Sequence, residues 1–244
     1  MTISGTNPEA TDHLAGVRSG PASDSPLAGA MAEALAGRAL LSHPFYLRWQ
    51  NGQLAPSELA EYAVHYRAFE AALPVVLSAV AERLRAEGEV EAAGIVDQNL
   101  NDELGRPEPH LVLFDRFRDA LVPEATATSP GPAAQTLVAT YADLVAEGPV
   151  AALAGLAAYE TQASAIAATK GDGLRRWYGM DAAGTEFWDV HAGMEADHGE
   201  WSLDALALLG ADPAEVTDAA RRGAQAWWSL LDEREAEAPV PAEG

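Results

Sequence analysis

The strongest chemical signal in the sequence is a short run of metal-ligand residue types near residue 195. His191, Glu195 and His198 are spaced i, i+4 and i+7. On an α-helix these positions share one face over about two turns, so two imidazoles and a carboxylate would project together. This nitrogen and oxygen donor set suits iron, manganese or zinc. The alternative is a solvated polar face, which is common on the helices of an acidic protein.

A second segment carries two further candidate ligands. Glu103 and His110 are seven residues apart, and Pro107 and Pro109 lie between them. We expect a helix end, a tight turn and a new helix start, and a near-helical path would leave both side chains on the same side. Taken alone, this segment also fits an ordinary polar boundary between a helix and a loop.

Glu160 is the third candidate, and it stands in a segment of small apolar residues. It is the one charged residue between Ala151 and Thr169. This composition predicts a buried carboxylate, which is costly unless it is paired, protonated or bound to a metal. The alternative is a narrow solvent face shared with Thr161, or a pair with an arginine.

Together these segments offer three carboxylates and three imidazoles, a set that suits a dinuclear iron or manganese centre inside a helical bundle. The six residues are Glu103, His110, Glu160, His191, Glu195 and His198. Ferritin-like bundles carry a Glu-x-x-His pair on each of two helices, and only Glu195 and His198 form such a pair here. The absence of cysteine excludes thiolate nucleophiles and iron–sulfur clusters.

The elements that must position these residues are helices. The 244-residue chain is dense in Ala, Leu, Val and Glu, with helical periodicity and no alternating strands, so we predict an all-α domain over residues 27–232. Residues 1–26 and 233–244 are predicted to be disordered tails. The candidate helices are about 27–41, 44–50, 56–84, 90–104, 111–121, 134–146, 150–169, 184–209 and 213–231. We expect Pro74 to kink the longest of them.

The charge of the chain limits the classes of partner that it can bind. Lys and Arg number 15 against 37 Asp and Glu, a formal charge of −22. Such acidity argues against nucleic acid or an anionic membrane surface as the main partner. No apolar run predicts a membrane span and no secretory signal is recognisable, so we expect a cytoplasmic protein.

A wider set of motifs carries a family resemblance that runs from about His43 to Leu231. The motifs are His43-Pro44-Phe45-Tyr46-Leu47-Arg48-Trp49 with Asn51-Gly52, Tyr62…His65-Tyr66…Phe69, Asn99…Asp102-Glu103…His110, Tyr159-Glu160-Thr161-Gln162, Lys170…Gly173-Leu174…Trp177-Tyr178-Gly179 and His191…Glu195…His198. With these motifs the sequence resembles the haem-oxygenase-like diiron oxidases, a branch of the group that includes thiaminase II and pyrroloquinoline-quinone synthase. This resemblance implies a single-domain bundle of about seven helices around one central metal pocket, with the six candidate residues as ligands. The family usually carries Asp where Glu195 stands.

The resemblance also implies an activity. The expected enzyme is a homodimeric, O2-activating oxidase or oxygenase. It would hold two iron ions, or a Mn/Fe pair, and would receive electrons from an external reductant. Its substrate would be a small amine, amino acid or carboxylate, or its own side chain. The nearest members are p-aminobenzoate synthases, which cleave one of their own tyrosines and take nitrogen from a lysine. Tyr46, Tyr159 and Lys170 match their positions, whereas Phe187 replaces a further pocket tyrosine.

Other interpretations stay open at this point. Tyr46 could be a core tyrosine with a satisfied hydroxyl, and Lys170 a cation at the C-terminus of a helix. The whole chain could instead be a metal-independent cofactor-biosynthesis enzyme of the quinone-synthase type, or a helical interaction protein. On the metal interpretation, we expect the pocket to be lined by the long helix through Tyr66 and Phe69, with Glu70 as a polar contact.

Overall fold

The computed structural model describes residues 25–105, 108–121 and 129–238, without the side chains of residues 194–197. Within these ranges the chain is all-α and forms nine α-helices and one short 3-10 helix. The predicted fold class is confirmed, with more helices than the seven that the resemblance implied. The helices are α1 (Pro26–Leu35), α2 (Pro44–Gln50), α3 (Pro56–Glu87), α4 (Val90–Gly105), α5 (His110–Leu121), α6 (Pro132–Glu147), α7 (Pro149–Tyr178), α8 (Ala182–Leu208) and α9 (Pro213–Ala236).

Most of these helices begin with a proline, which lacks only an N–H that would have no partner in the first turn. Aspartate provides two of the other N-terminal signals, because Asp181 and Asp212 accept hydrogen bonds from backbone N–H groups at the starts of α8 and α9. The prolines are Pro26, Pro44, Pro56, Pro132, Pro149 and Pro213. Pro74 lies inside α3, which continues on both sides of it as one helix.

Three predicted boundaries were wrong. Helix α1 ends at Leu35, because Gly37 adopts a left-handed φ of 72° and the 3-10 helix Leu40–Ser42 follows. Helix α7 continues nine residues past the expected end at 169, to Tyr178. Helix α9 continues to Ala236, so residues 233–236 are helical rather than part of the predicted tail. The remaining tail residues lie outside the described ranges, apart from 25–26 and 237–238.

Helix α7 is the centre of the bundle, and its small residues allow close neighbours. It contacts α2, α3, α6, α8 and α9. A Cβ at Gly223 of α9 would lie 2.8 Å from the carbonyl oxygen of Gly155, and a Cβ at Gly199 of α8 would lie 3.0 Å from the Cα of Thr161. Glycine therefore brings the backbones of α8 and α9 almost into contact with α7. None of the described helices is long and apolar enough to cross a membrane.

Two sequence motifs that are 125 residues apart form one structure at the end of α7. The indole Nε1 of Trp177 donates to the carbonyl oxygen of Gln50 at 3.0 Å. The hydroxyl of Tyr178 accepts from the Leu54 N–H at 3.2 Å and donates to the Leu54 carbonyl at 3.1 Å. The turn at Asn51-Gly52 thereby fixes the end of α7 against the start of α3.

Gly52 provides a test of this junction. Its φ is 66°, and a Cβ there would lie 2.5 Å from Cγ of Trp177. We predict that Gly52→Ala lowers the free energy of unfolding by about 2–5 kcal/mol, the sum of backbone strain and overpacking. Gly37→Ala is the matched control, because φ is 72° there but no atom lies within 4 Å of the added Cβ. It should cost only about 1–2 kcal/mol. Equal losses in urea unfolding would contradict the proposed role of the Trp177 contact.

Candidate metal centre

Four buried side chains from four helices meet inside the bundle. Glu70 of α3, Glu103 of α4, His110 of α5 and His191 of α8 each offer one ligand atom, and these four atoms lie within 4.8 Å of one another. Each residue is no more than 6% exposed. Two carboxylates and two imidazoles at this spacing can surround one cation.

The end of α4 and the start of α5 place two of these groups side by side. Glu103 lies in the last turn of α4, and His110 is the first residue of α5. The Nδ1 of His110 lies 3.0 Å from Oε2 of Glu103. The sequence prediction of a helix end followed by a new helix start was therefore correct, although residues 106–107 lie outside the described ranges.

The orientation of His191 is fixed by its own helix. Its Nδ1 lies 2.7 Å from the backbone oxygen of Phe187, one turn earlier, and donates a hydrogen bond to it. The other ring nitrogen, Nε2, then carries the lone pair. Burial lowers the pKa of His191 well below its usual range, and the neighbouring His110, with ring centroids 4.4 Å apart, lowers it further. A neutral imidazole is the form that binds a metal.

The hydrogen bonding of the cluster fits a cation. Oε1 of Glu70 and both ring nitrogens of His110 are buried without a hydrogen-bond partner among the described residues. The short approach of His110 to Glu103 is a contact of two potential ligand atoms and not an aligned hydrogen bond. Unsatisfied buried polar groups cost about 1–3 kcal/mol each. A bound cation would satisfy these atoms at once.

The electrostatics of Glu70 also favour a cation beside it. Burial raises the pKa of Glu70 well above its ordinary value, and the nearby Glu103 raises it further, whereas Lys170 partly opposes the shift. A nearby positive charge favours the ionised form of such a carboxyl group. The donor types and the electrostatics both fit iron or manganese.

Glu160 and His198 lie next to this cluster, near Glu103. Burial raises the pKa of Glu160 to about 7, hydrogen bonds from Ser202 and Asn99 lower it, and Glu103 raises it. Nδ1 of His198 lies 3.9 Å from Oε1 of Glu103. The close approach of Gly199 to α7 places these two residues together.

The structure therefore gathers five of the six predicted ligands around one buried region. Glu103 lies between the others, and the side chain of Glu195 lies outside the described part of the structure. The structure adds Glu70, which sequence analysis treated only as a pocket contact. Its signal was a carboxylate on the buried face of α3, one turn from Tyr66 and three residues from Leu73.

Lys170 is not a cation at a helix end, so that interpretation was wrong. It lies inside α7, is 2% exposed and donates from Nζ to the hydroxyl of Tyr62 at 2.6 Å. That hydroxyl lies 2.8 Å from the hydroxyl of Tyr46. Burial lowers the pKa of Lys170 well below its usual value, and Glu70 partly opposes this shift. The rings within 5.5 Å of Nζ are those of Tyr46, Trp49, Tyr62, Tyr66 and Trp188.

Tyr159 belongs to a different pair of hydroxyl groups. Its hydroxyl lies 2.8 Å from that of Tyr66, and its ring stacks on Trp227 with centroids 4.2 Å apart. Tyr62 and Tyr66 lie one turn apart on α3 with ring centroids 5.6 Å apart, so they connect the two hydroxyl pairs. Sequence analysis missed Tyr62 as a site residue, because its position one turn before Tyr66 also fits a plain core face.

The buried amine of Lys170 predicts a pH-dependent stability. The pKa of Lys170 in the folded state lies below the unfolded value of about 10.5. The destabilisation caused by burying the amine is therefore largest below the folded-state pKa and disappears as the pH rises towards 10.5. We expect Lys170→Met to stabilise the metal-free protein at pH 7 by about 1–4 kcal/mol, the range for replacing buried ionic groups with apolar ones. The advantage should shrink at pH 10 in urea unfolding. If the difference in the free energy of unfolding between Lys170→Met and wild type does not change with pH, this account is wrong.

Comparison with known proteins places the chain in a family. Residues 60–231 match the model of a family described as iron-containing redox enzyme. The chain belongs to this family. It is 36% identical over 209 residues to a 4-aminobenzoate synthase of Nitrosomonas europaea, covering 80% of this chain and 85% of that protein. It is 30% identical over 199 residues to a 4-aminobenzoate synthase of Chlamydia muridarum, covering 79% and 83%.

Solved structures share the fold. A CADD-like protein of unknown function from Nostoc punctiforme superimposes with a TM-score of 0.71 at 17% identity, over 88% of this chain and 97% of that one. A TenA homologue from Pseudomonas syringae gives 0.70 at 14% identity, over 86% and 90%. A domain with a heme oxygenase-like fold from Shewanella denitrificans gives 0.66 at 15%, over 86% and 89%. The haem-oxygenase-like fold that the sequence motifs implied is confirmed.

Proposed function

We propose that this protein is a dimetal, O2-dependent enzyme that makes 4-aminobenzoate from its own Tyr46, with Lys170 as the amino donor. The supporting observation is the buried contact of Lys170 Nζ with the Tyr62 hydroxyl at 2.6 Å, which in turn contacts Tyr46 at 2.8 Å. A cluster of buried Glu and His side chains lies in the same bundle. Relatives named 4-aminobenzoate synthase support the product.

The residues that would hold the metal fall into two neighbouring groups. Glu70, Glu103, His110 and His191 would hold one ion, and Glu160, Glu195 and His198 would complete the second site with Glu103. When bound, two iron ions, or one manganese and one iron, would supply the redox chemistry that uses O2 as the oxidant. We include an external reductant, a homodimer and a cytoplasmic location in the proposal.

The carbon skeleton of the product matches a tyrosine side chain. The ring and Cβ of Tyr46 provide seven carbons with substituents at para positions. In the proposed reaction the Cα–Cβ bond breaks, Cα keeps a hydrogen as a glycyl residue, and Cβ takes both atoms of one O2 to become the carboxylate. The Lys170 nitrogen replaces the phenol oxygen, which leaves as water. The Nζ–Cε bond then breaks as Cε is oxidised to an aldehyde with oxygen from water. The two electrons released at Cε and two electrons from the reductant convert a second O2 to water. Each chain therefore yields at most one product molecule.

The surroundings of Lys170 favour this role. Burial lowers the pKa of its amine, which favours the neutral, nucleophilic form. Its Nζ lies 4.4 Å from the ring centroid of Tyr46, compared with 4.8 Å for Tyr62. The Tyr62 hydroxyl contacts both groups and can pass a proton between them. Aromatic rings exclude water from the amine.

The test is product formation by protein loaded anaerobically with Fe(II), or with Mn(II) and Fe(II), and then exposed to O2 and a reductant. We expect 4-aminobenzoate by mass spectrometry, at no more than one per chain, with 15N transferred from lysine-labelled protein. Tyr46→Phe should abolish the product. Tyr141→Phe is the matched control, since Tyr141 is equally buried but bonds Gly155 and Trp227 instead.

Three results would count against the proposal. Fewer than two metal ions per chain would remove the dimetal centre. Product in excess of the chain concentration would show an external substrate. Unchanged product from Tyr46→Phe would exclude this tyrosine as the source of the ring.

A further inference from the structure

Glu160 is held by two side chains that sequence analysis did not treat as site residues. The amide Nδ2 of Asn99 donates to Oε1 of Glu160 at 3.0 Å, and the hydroxyl of Ser202 donates to Oε2 at 2.5 Å. All three residues are no more than 5% exposed. Both oxygens of one buried carboxylate are thus occupied by neutral donors from two different helices.

The two donors extend the ligand faces of their helices. Asn99 lies four residues before Glu103 on α4, and Ser202 lies four residues after His198 on α8. Residues four apart are neighbours on one helix face. Each donor therefore stands one turn from a candidate ligand and points at the carboxylate of α7 between them.

The amide of Asn99 also has an unused side. Its Oδ1 is buried and has no hydrogen-bond partner among the described residues. Exchanging the positions of Nδ2 and Oδ1 would not give Oδ1 a donor, because Oδ1 would then face the Glu160 carboxylate. A buried acceptor next to the metal centre is suited to a water molecule bound to an ion.

We infer that Asn99 and Ser202 are positioning residues that hold Glu160 as the ligand of the second metal ion. The inference rests on the proposed dimetal function. Glu160 lies outside the group of four ligand atoms within 4.8 Å, so its two donors act on the second ion and leave the first site intact. A carboxylate that keeps these hydrogen bonds presents its remaining lone pairs in one fixed direction.

The test is a titration of the purified full-length protein with Co(II), followed by calorimetry and by the visible absorption of the bound ion. Wild type should bind two ions. Ser202→Ala should lower the affinity for the second ion by roughly 10–100-fold, the usual effect of losing a hydrogen-bond partner of a ligand, and leave the affinity for the first ion unchanged. Ser202→Thr, which keeps a hydroxyl, should restore the second ion and its absorption spectrum. Asn99→Leu removes the other donor at similar volume and should repeat the loss.

Ser164→Ala is the matched control. Its hydroxyl donates to the Ala192 carbonyl at 2.8 Å across the same α7–α8 contact but touches no candidate ligand, so both ions should bind as in wild type. If wild type, Ser202→Ala and Asn99→Leu all bind two ions equally well, this inference is wrong and the proposed function is unaffected. If the variants lose affinity for both ions equally, or if Ser164→Ala loses as much affinity for the second ion, Asn99 and Ser202 have only a structural role and the inference is also wrong. Fewer than two ions in wild type would overturn the proposed function too.

Discussion

Three carboxylates buried inside one helical bundle repel one another unless positive charge lies among them, and the centre of this protein is built around that constraint. Burial and the neighbouring Glu103 raise the pKa values of both Glu70 and Glu160. Lys170 offsets only part of the cost at Glu70. Two divalent cations would balance the negative charges of the four carboxylates that the proposed centre uses, which are those of Glu70, Glu103, Glu160 and Glu195.

The same constraint links the two functional regions of the bundle. Glu70 contributes to the ligand cluster and electrostatically opposes the loss of charge at Lys170, whose amine lies among aromatic rings. On α3, Tyr62 contacts the amine, Tyr66 lies one turn further along, and Glu70 of the cluster lies one turn after that. A metal-independent enzyme or an interaction protein gives no reason for the unsatisfied buried atoms of Glu70 and His110.

The helices and most of the buried candidate ligands could be predicted from the sequence, because both depend on local spacing. The i, i+4, i+7 pattern on α8 and the lone Glu160 in an apolar segment are readable without tertiary information. Glu70 was not recognised as a ligand, because the three other helices that surround it are far away in sequence. The end of α7 was missed for a similar reason: Gly173 normally weakens a helix, but here a Cβ would lie 3.0 Å from Trp49 Cδ1, so close packing explains the glycine.

The most direct test of the central claim is a crystal structure of the metal-loaded protein with anomalous diffraction recorded at the iron and manganese edges. We expect two peaks about 3.5–4 Å apart, as in other two-metal sites. One should lie among Glu70, Glu103, His110 and His191, and the other between Glu103 and Glu160. A single peak, or peaks bound elsewhere on the acidic surface, would contradict a dimetal centre in this bundle.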